Sequence, residues 1–402
     1  MKRIDAIDHP KRVTRRRIIA PIILAVVLMS ASLLSSCGIR DLIASITQTY
    51  PTAENTLPDM LAVNDEIEKA LEAGEEELTL NVAASEDEIK RVADNLDPFW
   101  GSPTKYSILG KFDEIALSDD KSAKKKTVLR IKFELKLSIN YYAYQSMKND
   151  EFEMPDDFPE AKAAADALPG IIDEIYGATG RGGGNSHYEK VLAAHDWIVG
   201  NLTYDETIDQ TGMENGIYGA LINRRTMCQG YAEALQLILR CATDVPVKTE
   251  IGEGHNGDGR WMGHAWNLVF MDDDWYQVDA TFNDPIGNED GTVDHTYFGQ
   301  NDAMMRNDHK WNEEYRPAAD GTDFLYYRKS GLYAESLSEF ESIARSQIEG
   351  RNPDSIEIAV RGVEITDKDL QFLYKANKDI DTIYWRSMKI NDAIIAHIEP
   401  EY

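Results

Sequence analysis

The sequence predicts an α+β protein, and three observations lead there. YSILGKFDEIAL and VLRIKFELKLSINYYAY, residues 106–117 and 128–144, alternate apolar and polar with period two and read as an antiparallel pair. SHYEKVLAAHDWIVGNL places Val191, Leu192, His195, Ile198, Val199 and Leu202 on one face at helical spacing. A second helical pattern opens at Cys228 and is followed by short strands, VKTEIG, WMGHAWNLVF, WYQVDATF and HTYFG.

The 402 residues carry a formal net charge of −28. Counterion release needs clustered Lys and Arg, so nucleic acid is excluded as a partner and a solvated acidic surface is expected. The N-terminus differs from the rest. Seven basic residues up to Arg17 precede an apolar run, residues 18–34, and then LSSCG. A basic region, an apolar region and small residues before a Cys make an export signal. Leu34-Ser35-Ser36-Cys37 resembles a lipoprotein box. The resemblance implies cleavage before Cys37 and a lipid on that cysteine, which would leave the chain extracytoplasmic and lipid-anchored to a bacterial membrane. An uncleaved anchor is the alternative, since about 17 apolar residues approaches the spanning minimum.

The order of patterns then divides the chain. Residues 1–36 are the signal peptide and 37–64 a tether mixing Pro, Thr and Ser. Residues 65–157 form an N-terminal α+β domain in which LTLNVAA is a strand and SEDEIKRVADNL a helix opened by Ser85. Residues 158–185 are a helical connector, broken at Pro169-Gly170, and a Gly-rich hinge, RGGGN, which lacks the spacing of a phosphate loop. Residues 186–312 hold the reactive residues. Residues 313–402 form a C-terminal α/β appendage, with FLYYRK, SIEIAVRG and TIYWRS as strands and SLSEFESIARSQIE and DKDLQFLYKAN as helices. Ser186 with Glu189 makes a capping box, and His195 on its helix face reads as a packed core residue. The loops GEGHNGDGR and NEDGTVD depart from a calcium-binding pattern and read as tight turns.

Three side chains stand in chain order at a telling spacing: Cys228, His264 and Asp279. A thiol attacks a carbonyl as thiolate, and a helix N-terminus or a neighbouring imidazolium favours that form. Cys228 is placed for both, and the amides at that helix start can form an oxyanion hole. His264 and Asp279 fall in consecutive strands joined through MDDD. With an even-length turn, paired positions sum to an odd number; 264 + 279 is odd, so the two share a face. Asp279 can then hold one ring nitrogen while the other faces the sulfur. Trp266 and Trp275 share that face and shield it. Gln229, Tyr218 and Trp266 are candidates for lining the oxyanion site. Cys228 and Cys241 lie 13 apart in one helix, roughly 20 Å at 1.5 Å rise per residue, far beyond the about 4.4–6.8 Å Cα separation of a disulfide. Both should be free. A zinc site is disfavoured, because the ligands are widely spaced and lack a CxxC pair; no metal or cofactor is expected.

CQGYA, GHAWN and WYQVDATFNDP look like the core of the transglutaminase-like superfamily of papain-type thiol enzymes. YGALINRRTMCQGYA, HDWIVGNLTYD and DHTYFG extend the likeness over residues 186–312. The resemblance implies a Cys-bearing helix packed on an antiparallel sheet, flanked here by small N- and C-terminal α/β domains. It matches Cys228 to the nucleophile, His264 to the base and Asp279 to the third member. It implies a thiol enzyme acting on amide or isopeptide bonds of a protein or peptide, cell-wall peptides included, with hydrolysis favoured over transfer to an amine. A catalytically silent binding or scaffold protein of the cell envelope is the alternative.

Overall fold

The computed structural model describes residues 51–92, 96–117, 124–177, 186–210, 212–255, 259–284 and 293–402. Cys37, the apolar run 18–34, most of the tether and the RGGGN hinge lie outside the described residues, as do parts of both turn-rich loops. Among the described residues no helix is long and apolar enough to cross a membrane. The chain divides into two units, Met1–Thr56 with Lys111–Val128, and Leu57–Gly110 with Leu129–Tyr402. The described part of the first includes a hairpin tip, where Thr127 donates to Asp113. Everything that follows concerns the second.

Its first elements are helix α1 (Met60–Glu72), strand β1 (Glu77–Val82), the short α2 (Glu86–Lys90), the long strands β2 (Gly101–Ile115) and β3 (Lys126–Leu137), and helix α3 (Ile139–Lys148). Helix α1 begins inside the stretch expected to be tether, because Met60 and Val63 are buried there. The strands order as β1-β3-β2. SINYYAY is helical, against expectation. The Ser138 hydroxyl accepts from Tyr141 N–H and caps a new helix, which ends the alternation.

Helix α4 (Pro159–Tyr176) runs unbroken through Pro169, where a break was expected. An interior proline costs about 3 kcal/mol. Leu168, Ile171 and Ile172 are buried around it, and each large apolar side chain contributes about 2 kcal/mol, so packing wins. Helix α5 (His187–Asn201) follows, with the Ser186–Glu189 capping box in place. Strands β4 (Thr203–Tyr204) and β5 (Arg225–Thr226) pair in parallel on either side of a π-helical turn, Gly219–Asn223.

Helix α6 (Cys228–Ala242) is buried almost all round. Beside it lies an antiparallel sheet in the order β10-β6-β7-β8-β9: β6 (Val247–His255), β7 (Trp261–Met271), β8 (Asp274–Val278), β9 (Phe298–Gln300) and, after the one-turn helix α7 (Asp302–Met305), β10 (His309–Trp311). The hydrophobic core that begins at Met60 continues without a break through α6 to Leu325. The N-terminal α+β unit and the Cys-bearing segment thus share one core rather than forming separate globules. Gln236 of α6 bonds Asp97, and Lys248 of β6 bonds Glu68, across that junction.

The C-terminal part has its own core around Phe340, Ile358 and Ile398. Its elements are α8 (Leu325–Lys329), β11 (Tyr333–Ala334), α9 (Leu337–Ile348), β12 (Ile356–Arg361), the short α10 (Asp367–Leu370) and α11 (Leu373–Ala376), β13 (Thr382–Ile390) and β14 (Ala393–Glu401). FLYYRK is helical, not the expected strand. Phe324 takes a left-handed backbone (φ 53°) and turns the chain into α8, burying Leu325 and Tyr327 on one side. Strand β14 was not foreseen; it lies between β12 and β13 as the centre of the sheet.

Candidate active site

Cys228 is the first residue of α6, half-buried, and both it and Cys241 are free thiols. Gly230 and Tyr231 donate to the Met227 carbonyl, so the N–H groups of Cys228 and Gln229 point out of the helix end, where an oxyanion would sit.

His264 lies on β7 and is buried. Strands β7 and β8 pair Met271 with Asp274 and Asn267 with Val278, so paired numbers sum to 545, an odd number. The turn between them holds two residues, Asp272 and Asp273, both at positive φ (49° and 68°), as a type I′ hairpin requires. Asp279 stands one residue past the end of β8, on the His264 face and one diagonal step away. Its Oδ2 lies 2.6 Å from His264 Nε2. Its Oδ1 accepts from the backbone N–H of Thr281 (2.9 Å) and Phe282 (3.0 Å). That leaves His264 Nδ1 for the sulfur, and Cys228 is a hydrogen-bond partner of the ring.

Burial pulls the His264 pKa down, but the Asp279 charge and hydrogen bond, with the Cys228 contact, outweigh it and push it up to about 10. Asp279 moves the opposite way. Burial raises it, and the His264 and His309 rings hold it well below the usual carboxylate range. The pair is therefore an imidazolium–carboxylate at neutral pH.

A second imidazole, which the sequence pattern did not single out, shares this carboxylate. His309 Nε2 is 2.9 Å from the same Asp279 Oδ2, and its Nδ1 is 2.7 Å from Asp308 Oδ1. His264 and His309 sit on β7 and β10, with β6 between them. Gly252 and Gly254 make the meeting possible. A Cβ at Gly254 would lie 3.2 Å from the His264 ring, and one at Gly252 would lie 2.7 Å from the Trp266 ring and 2.1 Å from the Lys310 carbonyl. His264, Asp279 and His309 also converge closely enough to suggest a metal site. The 2.6 and 2.9 Å separations are hydrogen-bond lengths, shorter than the about 3.3 Å between neighbouring ligands of a tetrahedral ion with bonds near 2.0–2.1 Å.

The lining candidates scatter. Trp266 is buried, stacks on His264 with ring centroids 5.7 Å apart, and donates to Gln277 (2.7 Å). Gln229 is turned along the helix and donates to Glu233 (2.8 Å). Tyr218 is half-buried at the start of the π-helical turn. Trp275 packs on Phe270 beside the hairpin turn, at the far end of the strand pair from Asp279. The space in front of His264 is a cavity of about 480 Å³ walled by Tyr204, Phe282, Met388, Glu206, Asp284 and Asp308. Met388 comes from β13 of the C-terminal part. Tyr204 feels both Cys228 and Asp279; burial first, then these charges, raise its phenol to about 12.

Comparison with known proteins agrees with this arrangement. Residues 176–280 match the transglutaminase-like superfamily core, so the chain carries a transglutaminase-like domain. No curated protein matches it. Among solved structures, a TGase is 13% identical over 65% of this chain and 67% of its own, with a TM-score of 0.28. A protein assigned as a cysteine protease, from Cytophaga hutchinsonii, is 16% identical over 47% and 70%, with a TM-score of 0.24. Both likenesses are remote, and the family assignment rests on residues 176–280.

Proposed function

We propose that this protein is a thiol enzyme acting on amide or isopeptide bonds, exported and held at a bacterial membrane by a lipid on Cys37. One observation carries the reading. A half-buried thiol at a helix N-terminus is hydrogen-bonded to an imidazole whose other nitrogen is 2.6 Å from a buried carboxylate. Cys228 attacks the carbonyl carbon and the C–S bond forms. The C–N bond then breaks as the amine leaves with a proton from His264. Water, deprotonated by His264, resolves the thioester and regenerates the thiol. Hydrolysis is favoured over amine transfer, since Met262 and Gly263 beside His264 are exposed and admit water. The substrate is a protein or peptide, cell-wall peptides included.

Labelling with a thiol-directed acyl probe tests this. Wild-type protein should label at one site and Cys228→Ala should lose at least about 10³-fold of the rate. Equal labelling of the mutant would sink the reading in favour of a silent scaffold with the same fold.

A further inference from the structure

We propose that His309 is a positioning residue of the Cys228 site: a second imidazole, held as a cation between Asp308 and Asp279, that fixes the shared carboxylate and makes His264 a readier proton donor. The inference rests on the reading of Cys228 as nucleophile. It concerns a residue beyond the family-matched span, on a three-residue strand.

The geometry is specific about charge. Both ring nitrogens of His309 face carboxylate oxygens, at 2.9 Å (Asp279 Oδ2) and 2.7 Å (Asp308 Oδ1). A neutral imidazole offers one N–H and one lone pair. At one of the two contacts that lone pair would oppose an oxygen lone pair. Two N–H groups satisfy both, so the ring is an imidazolium. Asp308 is itself held, since its Oδ2 accepts from the Tyr297 hydroxyl at 2.5 Å. The titratable groups facing the ring are therefore Asp279, Asp308, His264 and Tyr297. Trp266 and Phe282 pack on it with centroids at 5.0 and 4.7 Å, and the ring is 1% exposed.

Two effects follow for His264. Asp279 Oδ2 is anchored from a second direction, so it cannot swing away from His264 Nε2. The His309 cation also lies 5.4 Å from the His264 ring, centroid to centroid, and like charges this close favour release of a proton. Release is what the reaction needs: the departing amine takes the His264 proton as the C–N bond breaks. His309 neither gains nor loses a proton in the cycle.

Histidine-selective ¹⁵N NMR on the full chain tests this directly. At pH 7 wild-type His309 should show two ring N–H groups. His309→Gln and Asp308→Asn should each raise the His264 titration midpoint by about 1 pH unit and slow acylation of Cys228 by an amide probe about tenfold, with alkylation of Cys228 retained. A single N–H on wild-type His309, or folded variants with an unmoved His264 midpoint, would overturn the proposal. If His309→Gln does not fold, Asp308→Asn decides by the same midpoint, because its side chain is at the cleft wall. If wild-type Cys228 fails to label, the functional reading falls, while the midpoint still decides what His309 does.

Discussion

The chain builds the same constellation twice. In one, Asp279 Oδ2 meets His264 (2.6 Å) and His309 (2.9 Å). In the other, Asp196 Oδ1 meets His195 (2.9 Å) and His295 (3.0 Å). Residue types and distances are nearly alike, so neither distinguishes a reactive site from a structural one. The difference lies in what the remaining nitrogen meets. That of His264 faces a thiol at a cleft. That of His195 accepts from the Asn283 amide at 2.9 Å, which places its proton on Nδ1 and fixes one tautomer. Burial first, against the pull of Asp196, then lowers the His195 pKa, whereas His264 is raised. The second cluster also reaches the C-terminal sheet, since His295 lies 3.5 Å from Glu357 of β12 and stacks on Tyr326 at 3.9 Å. It joins α5 to that sheet.

Matched substitutions can break this comparison. Asp279→Asn should cut acyl-probe labelling of Cys228 by about 10²–10⁴-fold, through loss of the imidazolium partner. Asp196→Asn should change labelling less than about twofold and instead lower stability by about 1 kcal/mol in urea melts. Similar losses of labelling in both would erase the distinction.

A smaller effect is expected from pH. Burial works against the charged form of His295, but hydrogen bonds to Asp196 and Glu357 raise its pKa to about 9. The folded value exceeds the unfolded value near 6.5. Its stabilisation is therefore fully present below pH 6.5 and lost as pH rises through 9, a contribution of no more than about 3 kcal/mol. His295→Gln should flatten the pH dependence of unfolding free energy across that window; an unchanged slope would show that the pair carries no such charge.

The smallest effect should come from Gln229→Ala. Its side chain is exposed and bonded along the helix to Glu233, so labelling should stay within about twofold of wild type, with only the backbone N–H serving the oxyanion. A tenfold loss would bring the side chain back into the site.

Local chemistry explains which features could be read before the structure. The Cys228 helix, the strand carrying His264 and the shared face of Asp279 follow from period, parity and an even turn, each confined to a few consecutive residues. His309 was missed because a three-residue strand has no period to detect, and its meeting with His264 is set across β6 by two glycines. Pro169 misled because the packing that carries a helix through it comes from distant chain. FLYYRK misled because an alternating aromatic run fits a strand as well as a helix turn, and only the left-handed Phe324 decides.

The cleft also has an order of synthesis. The thiol, the imidazole and the carboxylate are complete once Asp279 is made. Asp308 and His309 come later, and Met388, which closes one wall, is made 160 positions after Cys228. A nascent chain that stops at Asp279 holds the three reactive groups without the strand that steadies their carboxylate or the wall that shapes their substrate. The reactive thiol is thus matched to its cleft only after nearly the whole polypeptide has emerged, which confines its chemistry to the finished protein.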